Sequence, residues 1–165
     1  MARDTLKVLA RRIGAQLKQR CLKLATAESC TGGWIAQAAT SVSGSSVWFD
    51  RGFVTYSDAA KKELLGVRAR TLSRHGAVSR ETAKEMAAGA LARSRAQVAI
   101  AVTGVAGPSG GTKAKPVGTV CIAWARKRGA MESVTRRFLG SRERVRRQAV
   151  VSALQGLLER LEETE

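Results

Sequence analysis

The chain has 165 residues, the size of one ordinary domain, and its 44% hydrophobic and 25% charged content can build a core, which excludes disorder as a description of the whole. Lys and Arg number 29 against 13 Asp and Glu, a net charge of +16, so a nucleic-acid or acidic-surface partner stands against a plain Arg-rich surface. One histidine, His75, and the scattered Cys21, Cys30 and Cys121, with no C-x-x-C, are too few for a zinc site. The odd cysteine count fits a reduced compartment better than a disulfide framework. The segment from Met1 to Arg12 has no signal-peptide core, and no apolar run approaches the ~18 residues of a membrane span. The expected setting is the cytoplasm.

In chain order, Leu6, Leu9, Ile13 and Leu17 form a helical stripe. Leu22 to Glu28 reads as a short strand, Trp34 to Thr40 as an Ala-rich helix, and Val47 to Tyr56 as extended. Asp58 to Leu65 is a short helix with Ser57 as its N-cap and Gly66 past its end. His75 falls in a turn, and Ser79 caps a helix from Arg80 to about Arg95. Val98 to Val102 and Val117 to Ala125 are buried strands, and Val134, Arg136 and Phe138 alternate as an edge strand. A last helix carries Val150, Leu154, Leu157, Leu158 and Leu161 and ends in the acidic tail 159–165, where opposition to the helix dipole predicts fraying. The alternation of helices and strands predicts a layered α/β domain.

Two Gly-rich loops interrupt the pattern. Glu28-Ser29-Cys30-Thr31-Gly32-Gly33 joins a strand to a helix, and the loop from Thr103 to Thr112 joins two strands. Glycines let the backbone approach a ligand and expose N–H groups, and the helix after Gly33 adds its positive end. Neither loop is a dinucleotide fingerprint or a P-loop, and either one alone is also what a plain tight turn looks like.

Ser29 lies where a strand presents a nucleophile beside backbone N–H groups, or where a serine simply caps a helix. Its base would be His75 or a lysine. With Ser57 as N-cap, Tyr56 is N′ and Lys61 is N4, positions that meet across the first helical turn. Alternatively, Lys61 is one more exposed lysine and Tyr56 packs in the core. A lysine base must come down from about 10.4 toward neutrality through burial and nearby positive charge, which a basic chain supplies. Tyr56 would then relay a proton between Ser29 and Lys61. Cys30 is the rival nucleophile, but adjacent side chains diverge and a small thiol packs inward readily.

Thr26-Ala27-Glu28-Ser29-Cys30-Thr31-Gly32-Gly33, Gly44-Ser45-Ser46 and Arg51-Gly52-Phe53-Val54-Thr55-Tyr56-Ser57 resemble the CinA C-terminal domain family. So do His75-Gly76-Ala77-Val78-Ser79, Gly104-Val105-Ala106-Gly107-Pro108 and Lys115-Pro116-Val117-Gly118-Thr119-Val120, in one register from about Leu6 to Leu158. The chain departs from the family's pattern at Asp58-Ala59 and at Lys113-Ala114. The resemblance implies a single three-layer α/β/α domain over 1–165 with a central mixed sheet. It implies hydrolysis of nicotinamide mononucleotide to nicotinate mononucleotide and ammonia through a serine acyl-enzyme, without metal or cofactor, in pyridine-nucleotide recycling.

The family's catalytic residues fall on Ser29, Tyr56 and Lys61. Thr31, Gly32 and Gly33 would supply oxyanion donors, and the loop with Thr103, Gly104, Ala106 and Gly107 would line the substrate site. Arg142 and Arg146, one helical turn apart, would converge on the substrate phosphate. A homo-oligomer is compatible with the family, and no membrane partner is expected. The rival reading is a basic nucleic-acid-binding or regulatory module that keeps the fold without turnover. The 4% aromatic content argues against stacking platforms for single strands.

Overall fold

The computed structural model describes residues 4–164. In chain order the elements are α1 (Thr5–Gln19), β1 (Leu24–Glu28), α2 (Trp34–Thr40), β2 (Phe49–Val54), α3 (Asp58–Leu65) and α4 (Ala69–His75). They continue with α5 (Arg80–Ala92), β3 (Val98–Gly104), β4 (Thr119–Arg126), β5 (Met131–Arg137) and α6 (Arg142–Glu162). The sheet order is β2-β1-β3-β4-β5; β2, β1 and β3 run parallel, and β4 and β5 are antiparallel. The expected three-layer arrangement around a mixed sheet is therefore present.

Alternation along the central strands divides the core unequally. Leu24, Val98, Ile100, Val102 and Ile122 meet the stripe Leu6, Leu9, Ile13 and Leu17 of α1, together with Ile35 of α2 and Leu154 and Leu157 of α6. On the opposite face Ala25, Ala27, Ala99, Ala101, Ala123 and Ala125 leave room for α5 to approach closely through Ala83, Met86, Ala87 and Ala90. Large side chains thus fill one interlayer space, while small ones let a helix sit low over the other.

Three expectations need correction. His75 is not in a turn; it is the last residue of α4, a helix without an apolar stripe to announce it beyond Leu72. The acidic tail does not fray at 159: α6 continues to Glu162, whose carboxylate accepts a hydrogen bond from Arg12 of α1 at 2.6 Å. That ion pair offsets the unfavourable charge at the helix end, and Glu165 lies outside the described residues. The extended stretch from Val47 starts later than expected, because Ser45–Val47 forms a 3-10 turn before β2.

The parallel strands decide where a site can form. The chain leaves β1 toward β2 on one side and enters β3 on the other, so the connections diverge at the carboxyl ends of β1 and β3. In open α/β sheets such a divergence leaves a crevice for a ligand. Ser29 follows β1 there, and its N–H donates to the Val102 carbonyl of β3 at 3.0 Å.

Candidate active site

Ser29 is 7% exposed, and its hydroxyl oxygen lies 3.1 Å from Nζ of Lys61, which is 1% exposed. The lysine reaches inward because α3 begins where expected. Ser57 is its N-cap and accepts from the Ala60 N–H at 3.0 Å. Lys61, one turn later, then points into the protein. Its Nζ also donates to the main-chain carbonyls of Thr55 at 2.9 Å and Tyr56 at 3.2 Å. Burial lowers the proton affinity of Lys61, while Asp58 and, less strongly, Cys30 oppose that change. The expected help from surrounding positive charge is absent from these influences, so desolvation favours the neutral amine.

Tyr56 requires a correction. Its phenol does not bridge Ser29 and Lys61: the residue is 66% exposed, and its hydroxyl lies 3.5 Å from an Arg142 amino group. What Tyr56 gives Lys61 is its carbonyl. Ser29 does not cap α2 either, since Gly33 holds that position at φ +98°. Gly32, at φ +59°, is also left-handed, and these two glycines curl the loop back under the serine.

The sequence reading missed the function of Glu28. This buried carboxylate accepts from Thr31 Oγ1 at 2.7 Å and from the N–H groups of Ile35 at 2.9 Å and Ala36 at 3.1 Å. The start of α2 is thereby satisfied from inside the protein rather than left open to a ligand, as had been expected. An acidic residue closing an otherwise apolar strand was the available signal. The Gly32 N–H is also occupied, by the Ser29 carbonyl at 3.0 Å. Among the described residues, the N–H groups of Thr31 and Gly33 make no hydrogen bond. Cys30 itself packs in the core, and burial pushes its thiol up to about 12, far from thiolate reactivity at neutral pH.

The second loop borders this pocket, with most of its polar groups engaged. Thr103 Oγ1 donates to the Ala77 carbonyl at 2.9 Å, Gly104 pairs with Val120 in the sheet, and Ala106 is buried. Gly107, at φ +82°, accepts from Arg142 through its carbonyl at 2.8 Å. Arg142 and Arg146 rise from the start of α6 as expected, but they do not converge on one point. Arg142 reaches Gly107 and the Tyr56 phenol, whereas Arg146 reaches the carbonyls of Cys30 at 2.9 Å and Thr31 at 3.3 Å. Among the described residues no group of His, Cys, Asp or Glu is placed to hold a metal ion, and no helix is long and apolar enough to cross a membrane.

A buried serine–lysine pair at the switch point of a mixed sheet is a specific arrangement, and the CinA C-terminal domain family matches residues 6–161. The chain belongs to the CinA C-terminal domain family. Among curated members it is 52% identical over 159 residues to the nicotinamide-nucleotide amidohydrolase PncC of Escherichia coli, covering 95% of each chain. It is 51% identical over 156 residues to the protein of that name from Pseudomonas putida, covering 94% of this chain and 97% of the other. Among solved CinA-type structures, the competence/damage inducible protein CihA from Agrobacterium tumefaciens superposes with a TM-score of 0.94 at 47% identity, over 98% of both chains. A CinA superfamily protein from Klebsiella pneumoniae superposes with a TM-score of 0.92 at 43% identity, over 96% of this chain and 98% of that one.

Proposed function

We propose that this CinA-family chain, acting as one unit over residues 1–165 in the cytoplasm, is a nicotinamide-nucleotide amidohydrolase using a Ser29–Lys61 pair. The observation that carries the mechanism is the 3.1 Å approach of the Ser29 hydroxyl to a buried lysine whose proton affinity is lowered by desolvation. A neutral amine has two N–H groups and one lone pair. If the N–H groups stay on the Thr55 and Tyr56 carbonyls, the lone pair is left for the Ser29 O–H.

Ser29 Oγ then bonds to the carboxamide carbon of nicotinamide mononucleotide as Lys61 takes its proton. The oxygen of the tetrahedral intermediate is held by main-chain N–H groups of the Ser29–Gly33 loop. Lys61 returns the proton to the departing nitrogen, the C–N bond breaks, and ammonia leaves a nicotinoyl ester on Ser29. Water, deprotonated by Lys61, attacks that ester; nicotinate mononucleotide departs and Ser29 recovers its proton. Arg142, exposed at the rim, is the cation assigned to the substrate phosphate, with the Tyr56 phenol beside it.

Ammonia release from nicotinamide mononucleotide tests this reading. Ser29→Ala and Lys61→Ala should each lose roughly 10³-fold or more in kcat while the thermal melt stays cooperative. Full activity in Ser29→Ala would overturn the nucleophile, and a basic binding module without turnover would release no ammonia at all.

A further inference from the structure

We propose that Arg146 is a positioning residue that fixes the peptide planes of the nucleophile loop and so presents the Thr31 N–H to the reacting oxygen. This rests on the amidohydrolase reading of Ser29. Arg146 comes from α6, yet its Nε donates to the Cys30 carbonyl at 2.9 Å and its Nη2 to the Thr31 carbonyl at 3.3 Å. The guanidinium is half-buried and lies 5.5 Å from the Trp34 ring centre. Its rigid fork is thus spent on two successive carbonyls.

In a trans peptide the carbonyl oxygen and the next amide hydrogen point in opposite directions. On the Thr31 carbonyl Arg146 adds to a bond from the Trp34 N–H at 3.0 Å, and the Gly32 N–H of the same plane reaches the Ser29 carbonyl at 3.0 Å. This plane is pinned at both ends. Fixing the Cys30 carbonyl likewise turns the Thr31 N–H away from the arginine, and that donor has no partner among the described residues. A cation on both carbonyls also polarises the two amides, making their N–H groups better donors. A phosphate ligand would keep its fork for the ligand, as the more exposed Arg142 does in part.

The experiment measures kcat and KM for nicotinamide mononucleotide, and the inhibition constant of nicotinate mononucleotide, in wild type, Arg146→Gln, Arg146→Lys and Ser29→Ala, with a melting curve for each. Loss of a positioned oxyanion donor predicts a fall in kcat of about 10–100-fold in Arg146→Gln, with KM and product affinity within about twofold of wild type. Arg146→Lys, which keeps the charge but only a point donor, should recover part of kcat. A tenfold loss of product affinity with kcat retained would make Arg146 a phosphate ligand and overturn the proposal. Unchanged kinetics in both variants would overturn it too, as would a lowered melt alone. Activity in Ser29→Ala removes the underlying reading, whereas an inactive Ser29→Ala beside normal Arg146 variants removes only this inference.

Discussion

Lys61 is held in a pocket that both satisfies and penalises its charge. Three oxygens, from Ser29, Thr55 and Tyr56, surround Nζ, yet burial lowers its proton affinity below the ordinary lysine value of 10.5. Between the lowered value and 10.5 the unfolded chain binds the proton that the folded chain has lost, so stability rises with pH in that window. Below it the folded protein bears the whole cost of burying the ammonium. Relative to Lys61→Met, the wild type should therefore gain about 1.4 kcal/mol per pH unit across the window, read from urea unfolding at several pH values. A constant difference between the two proteins would contradict this. The spacing from the Ser57 cap was enough to bring Tyr56 and Lys61 together, but not to tell which atom of Tyr56 takes part. Capping geometry fixes the backbone and leaves the ring free. Glu28 showed as an acid closing a strand, but its role was hidden for a related reason: its three donors come from a loop and helix whose path depends on two left-handed glycines.

The close seating of α5 has a direct bearing on the site. At Gly89 an added Cβ would sit 2.0 Å from the carbonyl oxygen of Leu65, the last residue of α3. Backbone cannot yield as a flexible side chain does. Gly89→Ala should cost about 1–3 kcal/mol in urea unfolding. Because α3 also carries Lys61, kcat for ammonia release should fall in the same variant; a stable, fully active Gly89→Ala would show that the two helices can separate freely. Elements with a strong period or a clear cap were readable in the chain: α1 by its stripe, α3 and α5 by Ser57 and Ser79. The helix α4 was not, since Ala69–His75 offers almost no apolar face and is held in place by tertiary packing. At its end α6 is joined by burial of Leu161 and by a contact from Arg12, more than a hundred residues away, which local sequence does not disclose.

Across the whole molecule, the +16 charge bears less on catalysis than composition suggested. It does not supply the neutral Lys61, which burial favours. Arg146 is engaged with the carbonyls of the nucleophile loop, and the exposed Arg142 with the carbonyl of Gly107. If the remaining charge acts at all, it acts at longer range, as a field that would draw an anionic nucleotide toward the crevice. Raising the ionic strength from about 0.05 M to about 0.5 M should increase KM for nicotinamide mononucleotide severalfold while leaving kcat near constant. A KM indifferent to salt would show that contact geometry alone binds the substrate. The layered architecture followed from the alternation of elements, but the location of the crevice followed from strand order, which no local pattern contains.

The edge position of β2 gives the site an unexpected sensitivity. The Thr55 N–H closes onto the Glu28 carbonyl at 2.8 Å, and the carbonyls of Thr55 and Tyr56 then form part of the wall around Nζ. That wall directly follows the outermost strand: Thr55 is fully buried, whereas Tyr56 beside it is exposed. If the last rung between β2 and β1 opened, water would reach the amine, its ordinary proton affinity would return, and Ser29 would face an ammonium with no lone pair to offer. The enzyme would then fall silent with its hydrophobic layers still intact, so the dryness of the base depends in part on pairing at the sheet's margin.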